Sequence, residues 1–100
     1  ATGAARNVTA GSARLQERFN PLGVLSEFYF EYGTTKEYGA VTRRVYGGEQ
    51  LTPRAAYADI SGLQGNTQYH YRIVVENAAG TTEGEDAVFT TSLTGHEILA

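Results

Sequence analysis

Residues 61–80 read SGLQGNTQYHYRIVVENAAG. In the stretch TQYHYRIVVEN, Tyr69, Tyr71, Ile73 and Val75 fall at every second position, with His70, Arg72 and Val74 between them. Successive side chains of a strand point to opposite faces, so a bulky set at period two predicts a strand with one face on a core. Aromatic and β-branched residues fit that pleated, half-buried surface well. SGLQGN before it and NAAG after it are glycine-rich, small and polar, as turns require.

The same period recurs on both sides. In FYFEY (28–32), Phe28, Phe30 and Tyr32 point one way while Tyr29 and Glu31, with Glu27 before them, point the other, and Gly33 closes the strand. In SARLQERF (12–19), Ala13, Leu15 and Phe19 share a face opposite Arg14, Gln16 and Arg18; Glu17 falls among the apolar positions, which predicts a bulge or strand end where a carboxylate reaches water. AAYADI (55–60) groups Ala56, Ala58 and Ile60, and DAVFTTS (86–92) groups Ala87 and Phe89. Between these runs lie GTTKEYG, YGGEQLTP, SGLQGN and NAAGTTEGE, which read as turns and loops. No window of helical period interrupts them, so the pattern describes an all-β sandwich or barrel.

Composition bounds the function. One hundred residues make about one domain of the common ~100–150-residue size. A net charge of −3 gives no positive field with which to gather phosphates or anionic lipid, which argues against nucleic acid and membrane surfaces. No cysteine is present, so disulfides, thiolate metal sites and cysteine nucleophiles are excluded. No run approaches the ~18 apolar residues of a membrane span, and ATGAAR lacks the apolar centre of a signal peptide. No membrane insertion is expected, and the chain reads as a piece of something larger.

Leu63, Gly65, Thr67 and Tyr69 resemble the L-x-P-x-T-x-Y signature of fibronectin type III domains, with glycine in place of proline, and YRIVVENAAG resembles that family's F strand and F–G loop. NVTAGSARLQERFNPLG, FYFEYGTTKEYG and AVFTTS look like the A–B, C and G segments of the fibronectin type III-like modules of bacterial surface and secreted proteins. The resemblance covers residues 7 to 92, leaving 1–6 as an N-terminal connection and 93–100 as a tail or linker to a next module. It implies a two-sheet immunoglobulin-like β-sandwich of seven strands with Greek-key connections, the sheets being A-B-E and C-C′-F-G. It also implies that Tyr69 forms the tyrosine corner with Leu63 and Thr67, its hydroxyl bonded to backbone a few residues upstream, at a carbonyl. The chain departs from the family in having no tryptophan on strand B, and Glu17 stands where related bacterial modules often have glycine.

Chemistry is sparse. His70 has outward parity and no serine or cysteine partner, which favours a solvated surface histidine over a general base. His96 and Glu97 begin like a zinc-protease H-E-x-x-H, but Ala100 stands where the second histidine belongs. Glu83, Glu85 and Asp86 offer oxygens for calcium without the spacing of a loop motif. Asn7-Val8-Thr9 is a glycosylation sequon, which matters only in a eukaryotic secretory pathway. No catalytic residue, cofactor or metal is assigned. The candidate interaction face is the outer side of the C-F-G sheet, where Tyr29, Glu31, His70, Arg72, Val74 and Val88 stand together, with a Glu31–Arg72 cross-strand ion pair as the plainer use of that surface. The expectation is therefore a non-catalytic extracellular or cell-surface module, acting as spacer, structural or adhesion unit, whose partners are neighbouring domains or other protein subunits. Two alternatives compete: a carbohydrate-associated accessory domain of a secreted glycoside hydrolase, using an exposed ring such as Tyr29 or Tyr46, and a self-assembling fibre subunit that adds its tail LTGHEILA to a neighbour's sheet.

Overall fold

A computed structural model describes residues 5–93. The tail motif around His96 and Glu97 therefore lies outside the described residues. The chain forms eight strands and, among the described residues, no helix: β1 (Ser12–Phe19), β2 (Ser26–Gly33), β3 (Ala40–Val41), β4 (Val45–Gly48), β5 (Arg54–Ser61), β6 (Gln68–Asn77), β7 (Gly80–Glu83) and β8 (Ala87–Thr90). They make two antiparallel sheets, packed as a sandwich. The smaller pairs β1 with β5; in the larger, β2 and β6 form the centre, with β3 and β4 along one side and β7 and β8 along the other.

The count of eight rather than seven has a local cause. Both outer tracks of the larger sheet are broken at the same level, opposite the paired residues Phe30 and Ile73. On one side Thr42 leaves the ladder, its hydroxyl accepting from the Phe30 N–H at 2.9 Å while its own N–H donates to the Phe30 carbonyl at 2.8 Å. On the other, the Gly84 N–H donates to the Ile73 carbonyl at 2.8 Å, and a side chain at 84 would run into Ile73. Strands β4 and β7 thus lie inside stretches expected to be loops; β7 is exposed along its whole length, so it carries no alternation to read.

The core follows the predicted parity. Leu15, Phe28, Phe30, Ala56, Tyr71, Ile73 and Phe89 are buried between the sheets, with Tyr32, Ala58 and Ala87 packed at its margin. Phe19, Phe28, Phe30, Tyr71 and Phe89 run in a chain of ring contacts at 5.7 to 6.1 Å between centroids, mostly tilted or edge-on as ring quadrupoles prefer. These rings fill the centre of a sandwich that has no tryptophan.

The smaller sheet corrects two expectations. The third strand expected beside β1 amounts, among the described residues, to a single bridge in which Arg6 and Arg14 exchange both backbone bonds at 2.8 Å, so the sheet has two strands instead of three. Glu17 causes no bulge: β1 pairs with β5 in unbroken register from Ser12 to Phe19, and Glu17 is buried. Its carboxylate accepts from the Arg18 N–H at 2.9 Å, while the Tyr71 hydroxyl donates to the Gln16 carbonyl at 3.3 Å. Where that third strand would have covered β1, these side chains supply hydrogen bonds in its place. An inward carboxylate on an edge also discourages pairing with another chain.

Candidate functional site

The outer face of the larger sheet was the predicted interaction surface. Its central row comes from β6, where His70, Arg72 and Val74 alternate with the core residues, and from β2, where Tyr29 and Glu31 stand opposite Val74 and Arg72. Arg72 Nε lies 2.6 Å from Glu31 Oε1, the expected cross-strand pair, and its other nitrogen lies 2.9 Å from Glu83 Oε2 on β7. The guanidinium also sits 4.8 Å from the centre of the Tyr38 ring. Tyr38 reaches this place because the 34–39 loop folds back onto Gly33, so closely that a side chain at 33 would strike the Tyr38 carbonyl.

Beside Arg72 lies a second cluster. Asp86, in the break between β7 and β8, accepts from the Tyr38 hydroxyl at 2.9 Å and lies 2.9 Å from His70 Nδ1. Burial acts to raise the Asp86 carboxyl, but the hydrogen bonds from His70 and Tyr38, with the nearby charge of His70 and Lys36, outweigh it and hold the group below the ordinary 3.8. Burial, followed by the Asp86 carboxylate, pushes the Tyr38 phenol up to about 12. His70 is thus partly buried and bonded, not the freely solvated side chain its parity suggested. Further along, Arg44 pairs with Glu76 and lies over the Tyr29 ring at 4.8 Å.

Val74 needs correction. It is 1% exposed although its parity is outward, so it offers nothing to a partner, whereas Val88 on the neighbouring β8 is half exposed. The outward position was legible; the burial of that position, paired with Tyr29 on β2 and Glu83 on β7, was not. Glu83, Glu85 and Asp86 do not converge: Glu83 meets Arg72, Asp86 meets His70 and Tyr38, and no group of metal-ligating side chains forms among the described residues. The face is a set of charges already matched to one another.

At the turn between β5 and β6, Tyr69 is buried and its hydroxyl accepts from the Gln64 N–H at 2.8 Å, five residues upstream. The partner is an N–H and not the expected carbonyl. Leu63 packs at the margin of the core, and the Thr67 hydroxyl donates to the Gly65 carbonyl at 2.8 Å, tightening the same turn.

The surface that parity did not find lies at one end of the sandwich. Leu22, Leu25, Leu51 and Tyr46 are 58 to 75% exposed there. Asn20 fixes the 20–25 loop by donating to the Leu51 carbonyl at 3.2 Å and accepting from the Leu22 N–H at 2.9 Å; the Gly23 N–H donates to the Gln50 carbonyl at 3.0 Å. Leu22 holds a positive φ of 56°, uncommon for a leucine, which fixes the direction in which its side chain leaves the loop. Polar parity cannot reveal such a tip, because leucines in loops carry no period.

No protein-family model matches the chain, and no curated protein matches it. Solved structures similar in fold include the following. A shorter form of the sensor domain of the anti-sigma factor RsgI4 in Pseudobacteroides cellulosolvens aligns at a TM-score of 0.68 and 18% identity, over 94% of this chain and 93% of that one. A longer form of the same domain aligns at 0.64 and 19%, over 94% and 88%. Its solution structure aligns at 0.68 and 18%, over 93% and 74%. At these identities the likeness is one of fold.

Proposed function

We propose that this chain is a non-catalytic, immunoglobulin-like module of fibronectin type III kind that serves as a protein-interaction unit of a larger bacterial surface or secreted protein. The strand order supports the topology: β1, β2, β5 and β6 stand for strands B, C, E and F, β3 with β4 for C′, β7 with β8 for G, and Arg6 for the remnant of A. The similar domains belong to anti-sigma factors and are described as sensors, which suits a module that presents a surface to something outside its own chain. The observation that carries the reading is the apolar tip of Leu22, Leu25 and Leu51 on hydrogen-bonded loops, with Tyr46 of β4. Grouped exposed apolar side chains mark interaction sites. The outer face of the larger sheet, by contrast, holds its charges in internal pairs.

A photo-crosslinking side chain at Leu22 or Leu51, in the longer protein carrying the module, tests this. A discrete protein adduct at those sites and none at Val88 supports it; equal or absent labelling at all three rejects it. The carbohydrate alternative is less favoured, since stacking on sugars wants exposed coplanar rings. Tyr46 and Tyr57 stand on different sheets, and Arg44 lies over Tyr29.

A further inference from the structure

The four long edges of this sandwich are not treated alike. Both edges of the larger sheet are broken into short strands. The β1 edge is occupied at Arg14 by Arg6 and downstream by the Glu17 carboxylate and the Tyr71 hydroxyl. The β5 edge carries none of these devices. It runs for eight residues, pairs without a bulge and holds no proline inside the strand; its one inward charge, Arg54, stands at the first position with its guanidinium over the Phe19 and Phe28 rings, and from Ala55 to Ser61 no charge points inward.

Its outward groups can be assigned. Arg14 spends both its N–H and its carbonyl on Arg6, away from β5, so the pair Arg14–Asp59 is one whose backbone groups do not face each other. The odd-numbered residues of β5 therefore aim their N–H and carbonyl groups away from β1. Arg54 Nε covers the Ala55 carbonyl at 3.0 Å, but the backbone groups of Tyr57 and Asp59 meet no backbone partner among the described residues. Beside them a cleft of about 450 Å³ lies between the sheets, with Tyr32, Val45 and Tyr57 in its walls together with the polar Thr42, Arg43 and Asp59. Val41, Val45 and Tyr57 are 62, 37 and 55% exposed along this side, an apolar rim next to an open ladder.

We infer that the β5 edge is where a second copy of this chain pairs, β5 against β5, antiparallel about a two-fold axis at Ala58. That register sets Tyr57 opposite Asp59 of the other copy, so that outward N–H and carbonyl groups meet in kind. Inside, Ala56 meets Ile60 and Ala58 meets Ala58, small against large and small against small. Outside, Ala55 meets Ser61, and no like charges stand opposite; a shift of two residues that centred the axis on Asp59 would oppose two carboxylates. Arg14 already holds Asp59 at 2.8 Å and lies 4.7 Å from the Tyr57 ring, so both outward side chains are fixed before pairing. The surface is distinct from the leucine tip, so the two readings fail separately.

Sedimentation velocity of the 100-residue chain over a wide concentration range is the test, repeated on Tyr57→Pro, Tyr57→Lys and Val88→Lys. Tyr57→Pro removes an outward N–H that β1 does not use, and Tyr57→Lys leaves the backbone intact while placing a charge on the edge. The expected result is a monomer–dimer transition in the parent and in Val88→Lys that is lost in Tyr57→Lys, and in Tyr57→Pro wherever its circular dichroism matches the parent. In the parent, amide exchange at Tyr57 and Asp59 slows as the dimer forms. A parent that stays monomeric throughout, or a dimer that survives Tyr57→Lys, overturns the inference.

Discussion

Replacing Tyr69 by phenylalanine removes one oxygen and little else. The ring stays buried and stacked on Phe89 at 5.6 Å, so no cavity opens beyond the hydroxyl itself. What changes is the Gln64 N–H, which loses its acceptor at 2.8 Å. A buried donor left unpaired costs about 1–3 kcal/mol. Gln64 lies on an exposed turn, where water recovers part of that, so the lower half of the range, about 1–2 kcal/mol, is expected. With a urea slope of roughly 2 kcal/mol/M, the unfolding midpoint falls by about 0.5–1 M with the slope unchanged. Amide exchange at Gln64 should quicken by more than the global loss accounts for, because its bond is removed in the folded state as well. A midpoint equal to that of the parent, with normal Gln64 exchange, refutes the reasoning.

Phe30→Ala, at a fully buried ring paired across the sheet with Ile73, is expected to cost about 3–5 kcal/mol in urea unfolding. Gly33→Ala forces the 34–39 loop away from its own backbone and should release Tyr38 from Asp86, seen as a loss of stability and a Tyr38 phenol that titrates lower by absorbance. The folded carboxyl of Asp86 is depressed, so its contribution is complete above the ordinary 3.8 and disappears as pH falls through the folded value; Asp86→Asn should flatten that part of the stability profile below pH 4. Glu17→Ala strips the acceptor from the Arg18 N–H and is expected to cost about 1–3 kcal/mol by denaturant titration.

The parts of this molecule visible in the sequence are those in which one face sees the core and the other sees water. Strands β1, β2, β5, β6 and β8 obey that rule, and their inward residues were readable by parity. Strands β3, β4 and β7 were not, because two are very short or glycine-rich and the third is exposed on both faces, leaving no contrast for a period to express. Glu17 was visible as an exception but misread, since its carboxylate is held by the Arg18 N–H beside it and lies near enough to Tyr71 of β6 to act on its phenol, and proximity across a sandwich is not written along the chain. The Glu31–Arg72 pair followed from parity once the two strands were neighbours. The leucine tip depends instead on loop conformation, and the burial of Val74 on its neighbours in β2 and β7.

The paired breaks in the outer tracks give the larger sheet a waist. At the level of Phe30 and Ile73 only β2 and β6 continue as strands, and the outer tracks are held there by Thr42 on Phe30 and by Gly84 on Ile73, while above and below that line the ladder is four strands wide. Fewer ladder bonds cross that line than flank it, so bending of the sheet is expected to concentrate there. Each outer piece can also peel on its own: β7 can open while β8 stays zipped, and β4 while β3 holds. Local opening of this kind costs less than opening the whole flank. Amide exchange is therefore expected to be faster in β3, β4, β7 and β8 than in β2 and β6.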